Sequence, residues 1–379
     1  MKDAVKKMRA AIGAAFVLPL FFHVAGSSAL AQANSANEQS PVSFNFRLPV
    51  SAGRFDTAAF FVAAARFWPK LGMLGTVLPG KGSALSVQST GTGTDQIAIV
   101  DFAAAVIGIR QGIPITIIAA PVARDTSGVI FSEKSGVRDW ADLKGKRVGF
   151  LPGAVSGLGT RAALRERGID PESVSWQAIP PVSQLALIQA GALQIATGYV
   201  GGQDLELRCK GIPGGGLRVW DAGIQSIGQV IVVNNDWAKK MGDAVVSKAL
   251  LGAIQGYTFI KAHPKESLDD VVKLRPNTPI DLETTLATFD QKLGYMPWMT
   301  QSMDERQGFA WIDSDHVSKS IATLEKAGVF EKSDQEPNIS KYFTTKLLED
   351  PDVRTAAQDF EKQSWAPVPE NVRRVCRLD

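Results

Sequence analysis

Short unbroken apolar runs recur along this chain, each followed by a helical stretch and a glycine stop. Ile97-Ala98-Ile99-Val100 lies between Asp95 and Asp101, and Ile115-Thr116-Ile117-Ile118-Ala119-Ala120 follows one helix later. A strand without polar alternation has to be covered on both faces. Strands alternating with helices at this spacing predict βαβ units and a mostly parallel sheet, an α/β class.

In chain order, residues 34–41 read as a polar, disordered lead-in and the fold begins with a strand over 42–48. A polar loop, Ser51 to Thr57, precedes a helix over 58–71, and Gly72 stops it. A strand near 75–78 leads through Gly80-Lys81-Gly82-Ser83 to a short helix ending at Gly91. A helix over 103–111 ends at Gly112. The scheme then repeats: a strand over 128–131, a short helix over 137–143, and strands over 148–151, 173–176 and 193–197. Helices are expected over about 155–167 and 180–191 between them, the second with Ser183 at its N-cap. After the strand 229–233 the chain is almost entirely helical: 236–263, broken by Pro264, then roughly 281–293, 315–327 and 341–362, with a basic end at Arg373, Arg374 and Arg377.

Two segments match. Ser83 to Gln88 leads to Gln96-Ile97-Ala98-Ile99-Val100-Asp101, and Ser183 to Gln189 leads to Gln194-Ile195-Ala196-Thr197-Gly198-Tyr199. They read as equivalent helix–strand units of two similar lobes. In open parallel sheets ligands sit beyond the carboxyl ends of strands. Asp101-Phe102 and Tyr199 to Gly202 are such ends, one per lobe. A third feature can face them: the turn Gly153-Ala154-Val155-Ser156-Gly157, where a helix starts after a strand. Its unpaired N–H groups and dipole suit an anion or polar ligand, and small residues let a ligand approach. The turn is neither G-x-G-x-x-G nor a P-loop, so nucleotide phosphate is not indicated.

The first 33 residues are of another kind. Lys2, Lys6, Lys7 and Arg9 precede an apolar run to about Val24, then Ala29-Leu30-Ala31-Gln32-Ala33. Basic head, apolar middle and small residues two apart make a secretory signal peptide, cut after Ala33 or Ala31, and the run is short for a membrane anchor. The whole chain has 41 basic and 38 acidic side chains, and the leader holds four of the former and one of the latter, leaving a balanced remainder. Nothing in that balance points to nucleic acid. Cys209 and Cys376 lie in an exported chain, where a disulfide would survive; bonded and free forms both fit. No zinc-ligand spacing accompanies them, and neither metal nor cofactor is expected.

A catalyst would need a nucleophile, an acid/base pair or a metal. Beyond the leader the histidines are His263, before Pro264, and His316, at a helix start; both read as caps or surface groups. There is no Gly-x-Ser-x-Gly elbow. Trp298 and Trp311 read as core aromatics, although either could stack on a ligand. A binding module fits better than an enzyme.

The series Gly91-Thr92-Gly93-Thr94-Asp95, Gly112-Ile113-Pro114-Ile115, and above all Leu143-Lys144-Gly145-Lys146-Arg147-Val148-Gly149 resembles the substrate-binding proteins of ABC importers for nitrate, taurine, alkanesulfonates and thiamine-pyrimidine precursors. The likeness runs over roughly residues 42–330. It implies a two-lobed type II periplasmic-binding fold: 42–124 as the first part of lobe I, 125–227 as lobe II, and 228–379 as the return strand of lobe I with the C-terminal helices. It also implies a periplasmic monomer that hands a small anionic or heteroaromatic solute to an ABC permease with its cytoplasmic ATPase. Two departures stand out: Ala192 and Gln194 replace an acidic phrase, and Gly198-Tyr199-Val200-Gly201-Gly202 replaces an aromatic-acidic-proline ending. The expected ligand contacts are Arg54, Phe55, Asp56, Thr57, Gly82, Ser83, Asp101 and Phe102 on one lobe. Gly153, Ala154, Val155, Ser156, Gly157 and Tyr199 supply the other, and Arg124 falls at the first crossover. Arg54 and Arg124 could pair an anion, or form surface and hinge salt bridges. Two alternatives share the fold. One is an enzyme related to thiamine-pyrimidine synthase, whose cysteine-rich motif is missing here. The other is the effector lobe of a transcription regulator, which would carry a helix-turn-helix where this chain has a leader.

Overall fold

The computed structural model describes residues 40–50, 55–152, 154–329, 331 and 338–379; the leader lies outside them. The strands in chain order are β1 (Val42–Arg47), β2 (Met73–Leu78), β3 (Ile97–Asp101), β4 (Ile115–Val122), β5 (Ser127–Ser132), β6 (Arg147–Phe150), β7 (Ser175–Ala178), β8 (Ile195–Tyr199), β9 (Gly214–Arg218) and β10 (Gln229–Asn234). They form two five-stranded sheets, ordered β2-β1-β3-β10-β4 and β7-β6-β8-β5-β9. β1 runs parallel to β2, Val42 opposite Met73 and Arg47 opposite Leu78. β10 alone is reversed in the first sheet, antiparallel to both β3 and β4. β5 alone is reversed in the second, antiparallel to β8 and β9. In each sheet the reversed strand is the one the chain enters on arriving from the other. The fold is therefore two-lobed α/β with mostly parallel sheets.

The apolar runs account for this layering. Ile97, Ala98, Ile99 and Val100 are each no more than 2% exposed, covered by helices on both faces of β3. β8 occupies the matching third place in the second sheet, and each is preceded by a helix, Ser83–Gly91 and Pro181–Gln189.

Residues 123–126 and 219–228 are the two crossovers between sheets. They are bonded to each other: the Asp125 N–H donates to the Ser226 carbonyl at 3.1 Å, and the Gly228 N–H to the Val122 carbonyl at 3.0 Å.

The C-terminal part is helical and touches both lobes. The helix Asp243–Ala262 crosses Phe55–Val62 so closely that a Cβ on Gly256 would lie 2.1 Å from the Ala59 carbonyl oxygen. Trp68 is fully buried beside it and donates its indole N–H to the Ala249 carbonyl at 2.9 Å. The last helix, Glu370–Cys376, packs instead near Gln203–Cys209 of the second lobe, and a disulfide joins Cys209 to Cys376.

Several segments differ from the sequence reading: the helix expected over 281–293 ends at Ala287, and the one over 236–263 is interrupted at Gly242, whose φ is 79°. The helical run after Phe55 is longer and passes from α to π to 3-10 geometry before stopping at Gly72, whose φ of 72° is a conformation that suits glycine. β9, built on Gly214-Gly215-Gly216, is a strand because only glycine lets the chain lie so close: a Cβ on Gly214 would sit 2.1 Å from the Phe131 carbonyl oxygen. The helix expected from 341 starts only at Pro351, capped by the Asp350 carboxylate. Before it, the chain is held extended along β4, Ile117 exchanging hydrogen bonds with Tyr342 and Thr344. A short helix over Glu370–Cys376 stands where the sequence showed only a basic tail.

Candidate functional site

Between the carboxyl ends of the two sheets lies a cavity of about 420 Å³. The first lobe presents Pro49, Val50, Gly82, Ser83, Ala84, Gln88, Asp101, Ala104, Ile107 and Gln111; the second presents Leu151, Pro152, Ala154, Val155, Ser156, Leu158, Gln184, Tyr199 and Gln203.

In the first lobe the helix Ser83–Gly91 starts behind Gly82, whose φ of 113° explains the glycine. The Ser83 hydroxyl accepts the Asp101 N–H at 3.0 Å, tying the end of β3 to the helix start. The Asp101 carboxylate accepts the Gln229 side-chain amide at 3.1 Å and so faces the cleft from the return strand's side. In the second lobe Gln203 does for β8 what Ser83 does for β3. Its side-chain oxygen accepts the Tyr199 N–H at 2.8 Å. Gly198 permits this, since a Cβ there would lie 2.2 Å from that oxygen.

The helix Val155–Glu166 opens onto the cleft with Ala154 as its N-cap, a residue with no side-chain acceptor. Gln184 supplies the sharpest polar feature. It is 1% exposed, its Nε2 donates to the Ile179 carbonyl at 2.7 Å, and its buried Oε1 has no partner. A buried acceptor left unpaired costs about 1–3 kcal/mol. Among the described residues of the lining Asp101 is the only carboxylate, and no arginine, lysine or histidine is among them. The described lining is thus mainly apolar, with the Asp101 carboxylate and several amides and hydroxyls at its polar points.

The expected contacts divide. Gly82, Ser83, Asp101, Ala154, Val155, Ser156 and Tyr199 all line this cavity. Phe102 does not: its side chain is fully buried in the core, because the helix Phe102–Arg110 turns it away from the strand end. Gly157 faces backwards, where a Cβ would meet Phe150 at 3.4 Å rather than a ligand. Thr57 is 1% exposed and outside the lining, and Phe55 and Asp56 begin the same helix. Arg54 and Gly153 lie outside the described residues. Arg124 is at the crossover but turned from the cleft, 5.8 Å from the rings of both Trp220 and Trp298. Gln184 and Gln203 carry no motif, and sequence reading passed over them.

Beside Arg124, Asp125 is buried within the hinge. Burial pushes its carboxyl up to about 6, bonds from Ser127 oppose this, and nearby Asp101 adds to the rise. No group of three or more His, Cys, Asp or Glu able to hold a metal occurs among the described residues, and none of their helices is long and apolar enough to cross a membrane.

A family model described as NMT1/THI5 like matches residues 54–267. A Haemophilus influenzae protein whose name assigns it provisionally to thiamine biosynthesis is 22% identical over 182 residues, 46% of this chain and 55% of its own. The chain thus spans about half the length of that relative. Among solved structures, the periplasmic nitrate-binding protein NrtA of Synechocystis superposes with a TM-score of 0.62 at 16% identity, covering 87% of this chain and 91% of its own. The periplasmic aliphatic sulphonate binding protein SsuA of Escherichia coli gives 0.60 at 13% identity, over 80% and 92%. A DszB mutant holding biphenyl-2-sulfinic acid gives 0.54 at 12%, over 81% and 98%. At these identities the structural likeness speaks for the fold.

Proposed function

Because this chain belongs to the NMT1/THI5-like family, we propose that it is the solute-binding component of an ABC importer, working outside the cytoplasmic membrane after its leader is removed. The observation that carries the reading is the cleft: a cavity of about 420 Å³ walled by both lobes, which two short crossovers join. A ligand that touches both walls favours the closed arrangement by its differential affinity for it, and the closed form is what a permease would receive. The named solved relatives include nitrate- and sulphonate-binding proteins. The absence of a basic side chain from the described lining favours an uncharged heteroaromatic solute here, one bearing N–H donors for Gln184 Oε1 and the Asp101 carboxylate. A thiamine-pyrimidine precursor has that character.

The test is native mass spectrometry of the exported protein purified without refolding, followed by calorimetric titration with the solute found. An N–H-bearing heterocycle bound at the one-to-one ratio is expected. Nitrate or a sulfonate as the retained solute would overturn the choice of solute. Turnover of the solute would overturn the binding role itself.

A further inference from the structure

Behind the hinge, on a surface sharing no lining residue with the cleft, is a second cavity of about 410 Å³. Its walls include Arg124 from the first crossover, Trp220 and Gln225 from the second, Gln301, and His316 and Lys319 of the helix Ser314–Lys326. We propose that this cavity is a binding site for a small aromatic carboxylate, independent of the solute held in the cleft.

Charge is the first argument. Arg124 and Arg218 both lie against Trp298, at 5.8 and 4.7 Å from its ring, and neither makes an ion pair with a carboxylate among the described residues. Arg218 lies outside the lining, against Trp298, and its Nε is buried with no hydrogen-bond partner. Asp221 and Asp204 attract Arg218 without bonding it; Asp204 is engaged by the Gly201 N–H at 2.6 Å. Comparable arginines elsewhere are matched: Arg47 with Asp95 at 2.8 Å, Arg110 with Glu325 at 2.6 Å, Arg373 with Asp290 at 2.7 Å. No Asp or Glu lines the cavity, and His316 is held by Asp313 at 2.8 Å. Burial lowers the pKa of Arg218 against the pull of Asp221 and Asp204, and lowers that of Arg124 as expected of a cation removed from water without a counter-charge. An anion in the cavity would supply that charge, and a guanidinium is suited to a carboxylate.

The walls give the second argument. Trp220 lines the cavity beside Arg124, and Trp298, outside the lining, braces it edge to face at 5.6 Å. A flat ring carrying the carboxylate would add an aromatic contact where a bare anion could not. Gln225, Gln301 and Lys319 complete the polar side.

The probe is benzoate, titrated into the intact protein and followed by tryptophan fluorescence and calorimetry. Saturable one-site binding is expected, with benzamide and acetate each about tenfold weaker or worse, as loss of one charged or one aromatic contact implies. Arg124→Gln should weaken benzoate by about tenfold or more. Lys319→Gln, at an exposed helix position, should weaken it a few-fold and carries the test should Arg124→Gln disturb the hinge. Gln184→Leu, which alters the cleft alone, should leave benzoate affinity as it was, so that failure here and failure of the cleft reading are told apart. Benzamide or acetate binding as well as benzoate, an affinity indifferent to both charge removals, or loss of benzoate in Gln184→Leu would each overturn the proposal.

Discussion

The Asp125 carboxylate accepts both the backbone N–H and the hydroxyl of Ser127, at 2.8 and 2.7 Å, inside the first crossover between the lobes. The pair fixes the turn by which β4 gives way to β5. It also buries an ionisable group where the two lobes are joined.

The pH dependence follows from that burial. The carboxyl rises from 3.8 to about 6 on folding, so the folded protein holds this proton more tightly than the unfolded one. Its contribution to stability is complete below about pH 4 and is lost as pH rises through about 6, roughly two units or about 3 kcal/mol. Asp125→Asn keeps an acceptor for the Ser127 N–H and should flatten this fall. Thermal unfolding of both proteins from about pH 4 to about pH 7 checks it; parallel curves would refute the assignment.

Gln184→Leu removes a buried acceptor that has no protein partner while sacrificing the bond to Ile179. Folding should survive, since a neutral hydrogen bond nets about 1 kcal/mol. Affinity for the cleft solute should drop roughly 5- to 30-fold, the equivalent of about 1–2 kcal/mol. Calorimetry at one pH reads the difference, and an unaltered constant would remove Gln184 from the site.

The start of the helix Val155–Glu166 offers a paired comparison. At Gly157 a methyl group meets Phe150 at 3.4 Å, away from the cleft, whereas Ser156 lines it. Gly157→Ala should bind the solute within about twofold of the parent and gain up to about 1 kcal/mol in helix propensity. Ser156→Leu should lose about tenfold or more in affinity, because its bulk enters the ligand's space. Equal behaviour of the two variants would mean that the helix start does not face the ligand.

Cys209 and Cys376 are 167 residues apart, and their bond is the only covalent tie between the last helix and the second lobe. Chain entropy puts its worth at about 4–5 kcal/mol as an upper value. Reduction, or Cys209→Ser with Cys376→Ser, should lower the unfolding free energy read from denaturant titration by about 2–5 kcal/mol, and the midpoint with it. A midpoint indifferent to reductant would show that packing alone holds the last helix.

The parts of this molecule legible in its sequence are those where one residue type has one physical meaning. Ile97 to Val100 had to be a covered strand, and Gly72, Gly112 and Gly191, all at positive φ, had to end helices. β9 was illegible because glycine carries no side chain to show a period, and its role emerges only against Phe131 and Val200. The segment around Phe343 had helical spacing, but the edge of β4 claims its backbone first. At the cleft, Asp101 and Tyr199 could be placed on the lining because strand ends can be located from sequence. Gln184 and Gln203 were missed because an amide means nothing until its neighbours are placed. Phe102 was misplaced by one residue's turn of helix, a detail that strand-end reasoning does not resolve.

Because β1 begins the first sheet near Pro41 and the disulfide fastens Cys376 to the second, the two ends of the described chain ride on different lobes. Fluorophores placed at Pro41 and Asp379 would therefore straddle the hinge. Their energy transfer would change when a solute draws the lobes together, turning the protein into an optical reporter of its own occupancy without any label near the cleft.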